Sequence, residues 1–222
     1  MRTLIAALFI IPVIYSCQNA TSQSVAVPAL QAVDSTDIFT GKVRKDAKTS
    51  FADAPVDTFR DVKQLRNSFK DEEWMHKYSE ARKQKAPRCK EELKNVALTN
   101  VYLFAVSRED DNDFHLILGS NPAQGKNQVL ISAEVSGLPD PASPHYAALK
   151  AVRDTFKNYF ADRYQKEQIF FVNEKRPPIK LEYIEGSLFF DNHHYNAYSG
   201  FNGFKAATAW EIHPVRVLRF AK

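Results

Sequence analysis

The sequence predicts a mostly β domain of the α+β class, and two observations support that prediction. From Lys94 onward, short runs rich in Val, Ile, Leu and aromatic residues alternate with turn-forming stretches such as "EDDND" and "NPAQGKN", a pattern typical of strands joined in a meander. One segment, within "SPHYAALKAVRDTFKNYFADRY", instead repeats apolar residues three or four positions apart. That spacing predicts a single amphipathic helix.

The chain opens with "MRTLIAALFIIPVIYSC", in which one arginine precedes an uncharged run that ends at Cys17. We expect residues 1–16 to be a signal peptide, because the run is too short for a membrane-spanning helix. Ile14 and Ser16 before the cysteine resemble the lipobox of bacterial lipoproteins, which implies a lipid-modified Cys17. The protein would then be anchored in the cell envelope of a Gram-negative bacterium, on the periplasmic face or the outer surface. A disulfide between Cys17 and Cys89 is the alternative.

The charge balance argues against nucleic-acid binding by bulk charge. The formal net charge is +4, and loss of residues 1–16 removes only Arg2, which leaves +3. This surplus is too small for a nucleic-acid-binding surface. Most of it lies in residues 59–94, which could rest on anionic lipid headgroups beside the anchor or form a solvated helix face.

Two segments precede the predicted β domain. Residues 17–50 are small and polar without a sustained period, so we expect a flexible tether. Residues 51–93 form a charged helical preface. "DTFRDVKQLRNSF" has apolar residues at helical spacing, and "DEEWMHKYSEARKQK" has acidic residues in its first turn and basic ones in its last, so two helices are expected.

The β domain is expected over residues 94–222. Three strands precede the amphipathic helix, "NVALTNVYLFAVSR", "DFHLILGS" and "NQVLISAEV", and three follow it, "EQIFFVN", "IKLEYIEGSLFFD" and "TAWEIHPVRVLRF". This arrangement resembles a small, partly open barrel of the oligonucleotide/oligosaccharide-binding (OB) kind, with the helix plugging one end. An open antiparallel sheet with a helix on one face is the alternative.

Three strand ends carry a carboxylate close to a histidine. The pairs are Asp113 with His115, Asp191 with His193 and His194, and Glu211 with His213. Residues two apart on a strand share a face, so each pair could project together and the three could converge. The histidines are candidate ligands for zinc or manganese, and Asp113, Asp191 and Glu211 are candidate catalytic groups. Alternatively, the pairs form cross-strand hydrogen bonds or cap turns.

The segments "DFHLIL", "GSLFFDNHH" and "AWEIHPV", in this order, resemble a family of short exported bacterial proteins that are largely uncharacterised. The resemblance covers about residues 86–220. It implies that one cluster contains Asp113, His115, Asp191, His194, Glu211, His213 and Pro214. His194 fits the family spacing better than His193, and the family implies no established reaction.

The segment before the last strand, "YNAYSGFNGFKAAT", is rich in aromatic residues separated by small ones. Tyr195, Tyr198, Phe201 and Phe204 could form a mobile rim that stacks on sugars or bases. Alternatively, the segment folds its aromatic rings back over the barrel end.

These observations favour a lipid-anchored binding module for an unknown envelope ligand, such as a saccharide, a peptide or a nucleic-acid fragment. A metal-dependent hydrolase of the nuclease or phosphodiesterase type, using the acid–histidine cluster, is the alternative. A third hypothesis is that the pairs only stabilise the barrel and that a partner docks on the helical preface. No Gly-x-Ser-x-Gly, Walker or His-Glu-x-x-His motif occurs.

Overall fold

The structure, a computed structural model, describes residues 37–161, 169–172, 176–201 and 203–222. The expected signal peptide, Cys17 and most of the expected tether lie outside these residues. In chain order the elements are α1 (Lys45–Lys48), β1 (Val56–Phe59), α2 (Val62–Asn67), α3 (Glu72–Tyr78), β2 (Asn95–Arg108), β3 (Phe114–Gly119), β4 (Ile131–Val135), α4 (Tyr146–Phe160), β5 (Ile169–Val172), β6 (Ile179–Phe190), β7 (Gly200–Phe201), β8 (Phe204–Lys205) and β9 (Trp210–Phe220).

Five strands close into a small OB-like barrel, which confirms the predicted fold class. Their order is β2, β3, β4, β9 and β6, and β6 pairs back onto β2. All neighbours in the barrel are antiparallel except β4 and β9, which run parallel. That seam has only two residue pairs, Ser132 with Glu211 and Ala133 with Ile212. The barrel is therefore closed rather than partly open.

Hydrophobic side chains fill the barrel, and α4 covers part of it. Leu116, Ala133 and Ile212, from β3, β4 and β9, belong to one buried core. The helix α4 packs against β4 and β9. The ring of Phe156, on α4, stacks on the ring of Phe114 at 4.5 Å between centroids. The predicted amphipathic helix is confirmed, and its apolar stripe is the face that it buries.

Residues 37–50 pack against the barrel, which corrects the tether predicted to reach residue 50. Phe39 is 2 % exposed and Arg44 3 % exposed. The Arg44 guanidinium makes a two-pronged ion pair with the buried Glu92, whose carboxylate also accepts from the Phe190 backbone N–H at 2.8 Å. Because Glu92 precedes β2 and Phe190 ends β6, this interaction fastens the amino-terminal segment to the barrel.

The helical preface belongs to the same compact unit as the barrel. The two predicted helices are present as α2 and α3, but they are short and are preceded by β1, which pairs in parallel with β2. The side chain of Asn95 donates to the Ala52 and Ala54 carbonyls at 2.9 and 2.7 Å. Within the described residues, no helix has the length and apolar character needed to cross a membrane.

Candidate functional site

Four ionisable side chains meet on the outer face of the barrel. Asp113 precedes β3, Glu134 lies on β4, and Glu211 and His213 lie on β9, and each is at most 4 % exposed. Successive side chains of a strand point to opposite faces. The side chain of Ile212 points into the core, so the side chains of its neighbours Glu211 and His213 point to the outer face. We call Asp113, Glu134, Glu211 and His213 the buried cluster.

Strand pairing brings these side chains together. In the β3–β4 ladder His115 stands opposite Glu134, and at the β4–β9 seam Ser132 stands opposite Glu211. The β6–β9 register shifts next to His213 and Pro214. Such irregularities re-aim side chains and are common beside functional sites. An edge or bulge position for Pro214, expected from its missing N–H, agrees with this shift.

His213 is the centre of the buried cluster. Its Nδ1 atom lies 2.9 Å from Glu134 Oε2 and 3.0 Å from Glu211 Oε1, and its Nε2 atom lies 3.4 Å from Asp113 Oδ2. The other oxygen of Asp113, Oδ1, accepts from the Gly137 N–H at 2.6 Å. Each member of the cluster is thus held by another member or by the backbone.

Burial and mutual charge set the pKa values in the cluster. Burial raises the pKa of Asp113 well above its usual value. Burial and the nearby Glu134 carboxylate raise the pKa of Glu211 to about 7. Burial would also raise the pKa of Glu134, but His213 and Lys48 hold it well below its usual value. For His213, burial is outweighed by the surrounding carboxylates, which raise the pKa to about 10.

Lys48, from the amino-terminal segment, supplies positive charge to the cluster. Its ammonium lies 4.0 Å from Asp113 Oδ2 and 3.4 Å from Asp111 Oδ2. Burial alone would lower the pKa of Lys48, but the carboxylates of Glu134, Asp113 and Glu211 raise it above its usual value. The segment expected to be a tether therefore contributes a charged group to the site.

A cavity of about 540 Å³ lies against the buried cluster. The cluster borders the cavity through Glu134, and the neighbouring Lys48 also lines it. Other lining residues come from the amino-terminal segment (Lys42, Arg44), from the end of the helical preface (Arg82, Lys83), from the β2–β3 loop (Glu109, Asp110, Asp111), from β3 (His115) and from the segment after β6 (Asp191, His193, His194).

A second acid–histidine pair faces the same cavity. His194 Nδ1 lies 2.8 Å from Asp191 Oδ2, and the His194 side chain is 35 % exposed, so its ring is open to the cavity. The contact with Asp191 raises the pKa of His194 to about 9. An acid that orients a histidine in this way is the arrangement used for proton transfer.

His115 is held differently from the other histidines. Its Nδ1 atom lies 3.7 Å from Glu134 Oε1, and its Nε2 atom lies 3.1 Å from Ser132 Oγ. Burial lowers the pKa of His115. Ser132 is thus a hydrogen-bond partner of Nε2, a carboxylate lies near Nδ1 beyond hydrogen-bond distance, and the ring forms part of the cavity wall.

The structure brings together most of the predicted acid–histidine residues. Asp113, Glu211 and His213 share the buried cluster, and His115, Asp191, His193 and His194 line the cavity beside it. The four predicted histidine ligands, His115, His193, His194 and His213, do not form one group of closely spaced ligand atoms among the described residues. Among the described residues, the group with atoms close enough to hold one ion is Asp113, Glu134 and His213, whose ligand atoms lie within 4.8 Å of one another.

Two residues of the site were not predicted from the sequence. Glu134 is the single charged residue of "QVLISAEV", and a buried charge in such an apolar run is the signal that could have pointed to it. Lys48 lies in a polar stretch without a recognisable pattern. Only the packing of residues 37–50 brings it to the cluster.

The aromatic segment packs against the barrel with part of its ring surface covered. Phe204 is buried and stacks on Phe104 at 5.9 Å between centroids, and Tyr195 stacks on His76 at 4.3 Å. Tyr195, Tyr198 and Phe201 are half-buried. Phe201 also lines a second cavity of about 310 Å³ that shares His115 and His194 with the first. For these three rings the stacking rim stays a prediction.

Cys89 is a free, buried thiol. Burial raises its pKa to about 11, and a thiol that stays protonated is a poor nucleophile. It is packed 3.5 Å from Ser79 Oγ, which is the position of a passive core residue.

No protein-family model, curated protein or solved structure matches the chain. The resemblance to exported bacterial proteins, inferred from three motifs, stays a prediction. The site is therefore interpreted from its own geometry.

We expect Asp191→Asn to lower the pKa of His194 from about 9 toward the ordinary value of about 6.5, because the amide removes the negative charge beside Nδ1. Because the pKa of His194 is raised in the folded state, its protonation stabilises the fold fully below about pH 6.5. That stabilisation is lost as the pH rises through the folded-state pKa of about 9. NMR titration of the histidine ring resonances measures the change. Asp110→Asn, on the same cavity wall, is the control, and equal His194 titrations in the two variants would contradict the pairing.

Proposed function

We propose that the protein is a cell-envelope binding module that holds a small anionic ligand in the cavity beside the buried cluster. The observation that carries the proposal is the cavity itself, about 540 Å³ in volume. Sites for small molecules commonly measure about 300 to 1,000 Å³. A single sugar or nucleotide unit fits this volume, whereas a long polymer does not.

The position of the cavity supports a binding role by analogy with the fold. OB barrels bind ligands on the face of their second and third strands and on the adjoining loops. In this barrel those strands are β3 and β4, whose His115 and Glu134 line the cavity. The loop that carries Glu109 to Asp111 and the segment from Asp191 to His194 form the adjoining walls. Fold analogy gives the location only, so the ligand class is inferred from the side chains.

Carboxylates also line the cavity, but two of its cations have no carboxylate partner among the described residues, and these two favour an anionic ligand. Lys42 and Arg82 both line it and are both exposed. In the part of the chain that the structure describes, neither makes an ion pair with a carboxylate, whereas Lys48 does. Lysine and arginine bind phosphate and carboxylate groups by charge-assisted hydrogen bonds. A phosphorylated or carboxylated sugar or nucleotide is therefore the proposed ligand class.

Replacement of Lys42 and Arg82 by glutamine is expected to weaken binding by about 10- to 150-fold for each lost contact, since a hydrogen bond to a charged group contributes about 1.5 to 3 kcal/mol. Titration calorimetry with inorganic phosphate, a sugar phosphate and the uncharged sugar measures the effect. The matched control replaces Arg60 and Lys63, which are exposed and lie outside the cavity lining. Equal affinities in both double variants, or equal affinity for charged and uncharged sugar, would refute an anion site.

A hydrolase is the second candidate function, and the Asp191–His194 pair is the observation that favours it. The pair faces the proposed ligand site, and its histidine is positioned to donate a proton to a leaving oxygen. The site thus has a proton donor beside cations that would hold a phosphate group.

If the protein is a hydrolase, it should cleave a chromogenic phosphodiester, and His194→Gln should lower kcat by about 100-fold or more, the usual scale for a lost general acid. The rate should fall as the pH rises through about 9, where His194 loses its proton. His145→Gln, at the start of α4 and away from the cavity lining, is the control. Ligand binding without turnover by the unaltered protein would reject the hydrolase and leave the binding module.

The envelope location in the proposal rests on the sequence around Cys17. Cys17→Ser is expected to move the protein from the membrane fraction to the soluble fraction, because a serine cannot carry the thioether-linked lipid. Fractionation followed by mass spectrometry of the amino-terminal peptide measures the change. Cys89→Ser is the matched control and should stay with the membrane, since Cys89 is buried in the barrel domain. A soluble unaltered protein would contradict the anchor.

A further inference from the structure

Two polar atoms of the buried cluster have no hydrogen-bond partner among the described residues. They are Asp113 Oδ2 and His213 Nε2. Both side chains are fully buried, and the two atoms face each other at 3.4 Å. A buried polar atom without a hydrogen bond is destabilising, so such a pair calls for a physical explanation, and a bound ion is one.

The separation of these atoms fits two ligands of one metal ion. Zinc binds histidine nitrogen and carboxylate oxygen at about 2.0 to 2.2 Å, so two ligands at a tetrahedral angle are about 3.4 Å apart. Asp113 Oδ2 and His213 Nε2 have that separation, 3.4 Å. Glu134 is the third residue of the group, since the ligand atoms of the three residues lie within 4.8 Å of one another. Its Oε2 atom lies 2.9 Å from His213 Nδ1, so this carboxylate would turn toward an ion bound at Nε2.

Other groups hold the two facing side chains in place. Glu134 Oε2 and Glu211 Oε1 lie 2.9 and 3.0 Å from His213 Nδ1, the nitrogen that faces away from Asp113. The Gly137 N–H donates to Asp113 Oδ1 at 2.6 Å and fixes that carboxylate. Metal-binding histidines usually have a carboxylate on the second nitrogen, because it fixes the ring orientation. The cluster therefore has both the ligands and their supports.

The charges of the cluster leave room for a divalent cation. Asp113, Glu134 and Glu211 are three carboxylates, and a histidine that binds a metal is neutral. The described cation nearest to them is Lys48, whose ammonium lies 4.0 Å from Asp113 Oδ2. With all three carboxylates ionised, one positive charge against three negative ones leaves two. Asp111, whose Oδ2 lies 3.4 Å from the same ammonium, raises the excess to three, and a divalent ion would offset most of it.

We infer that Asp113, Glu134 and His213 bind a divalent metal ion, zinc or manganese. The ligand atoms are one nitrogen and carboxylate oxygens without a thiolate, a set that suits both ions. The ion would enter from the cavity, because Glu134 and Lys48 line it. The bound ion would add positive charge behind the wall of the proposed anion site. The inference goes beyond the proposed function, because it concerns a metal ion and not the anionic ligand. The metal content of the protein can be measured without that anion.

The test measures metal content and metal affinity. Purified protein treated with a chelator is titrated with zinc chloride and with manganese chloride, and bound metal is counted by elemental analysis. Roughly one ion per chain is expected for the unaltered protein. Asp113→Asn and His213→Gln should each weaken binding by at least about 100-fold, because each removes a direct ligand.

Controls separate this site from the other acid–histidine pair and from the thiols. Asp191→Asn and His194→Gln alter the other acid–histidine pair on the same cavity and should keep full metal binding. Glu211→Gln, which alters only a support, should weaken binding by about tenfold. Cobalt bound to the unaltered protein should lack thiolate absorption, which excludes Cys17 and Cys89 as ligands. This measurement stands even if the Asp113 or His213 variants fail to fold by circular dichroism.

Three results would overturn the inference. One is unaltered protein that binds neither zinc nor manganese. Another is full metal binding by folded Asp113→Asn and His213→Gln variants. The third is loss of the ion in Asp191→Asn or His194→Gln with retention in the Asp113 variant. A protein that binds metal but no anion would refute the proposed function and keep the metal site, so the two failures are distinguishable.

Discussion

The candidate site depends on the ion pair between Arg44 and Glu92. Both side chains are buried, with exposures of 2 % and 0 %, and Glu92 also accepts from the backbone N–H groups of Cys89 and Phe190. A buried carboxylate is expensive unless it is paired and hydrogen-bonded. Burial alone would raise the pKa of Glu92, but Arg44 and these N–H groups hold it below its usual value. The pair thus makes the amino-terminal segment a fixed part of the domain.

Fixing that segment creates the environment of the buried cluster. The outer face of a barrel is normally open to water, so carboxylates and a histidine there would need no special arrangement. Here residues 39–49 cover that face and place the Lys48 ammonium near Asp113. Arg88 adds a second fastening, since its guanidinium donates to the carbonyls of Ser50 and His213 at 2.9 and 3.2 Å. The coverage turns an exposed group of charges into a buried site with shifted pKa values.

The short parallel seam between β4 and β9 determines which charges meet. Because this seam closes the barrel, Glu211 stands beside β4, and Glu134 contacts His213 on β9. Asp113, before β3, completes the group from the other side of β4. A buried polar network that is fully satisfied rigidifies its surroundings, whereas an unpaired buried polar group is costly. The two unpartnered atoms of this cluster are the observation on which the proposed metal site rests.

The sequence by itself determined the local features of this protein. Short apolar runs and turn residues predicted the barrel strands, and apolar residues three or four positions apart predicted α4. Spacing on the strands pointed to Asp113, Glu211 and His213. All of these patterns depend on residues only a few positions apart. It also pointed to His194 with Asp191, which face the cavity. Only the tertiary structure added Glu134 and Lys48, closed the barrel and buried the ring of Phe204. These features arise from contacts between residues far apart in the chain, which no local pattern encodes.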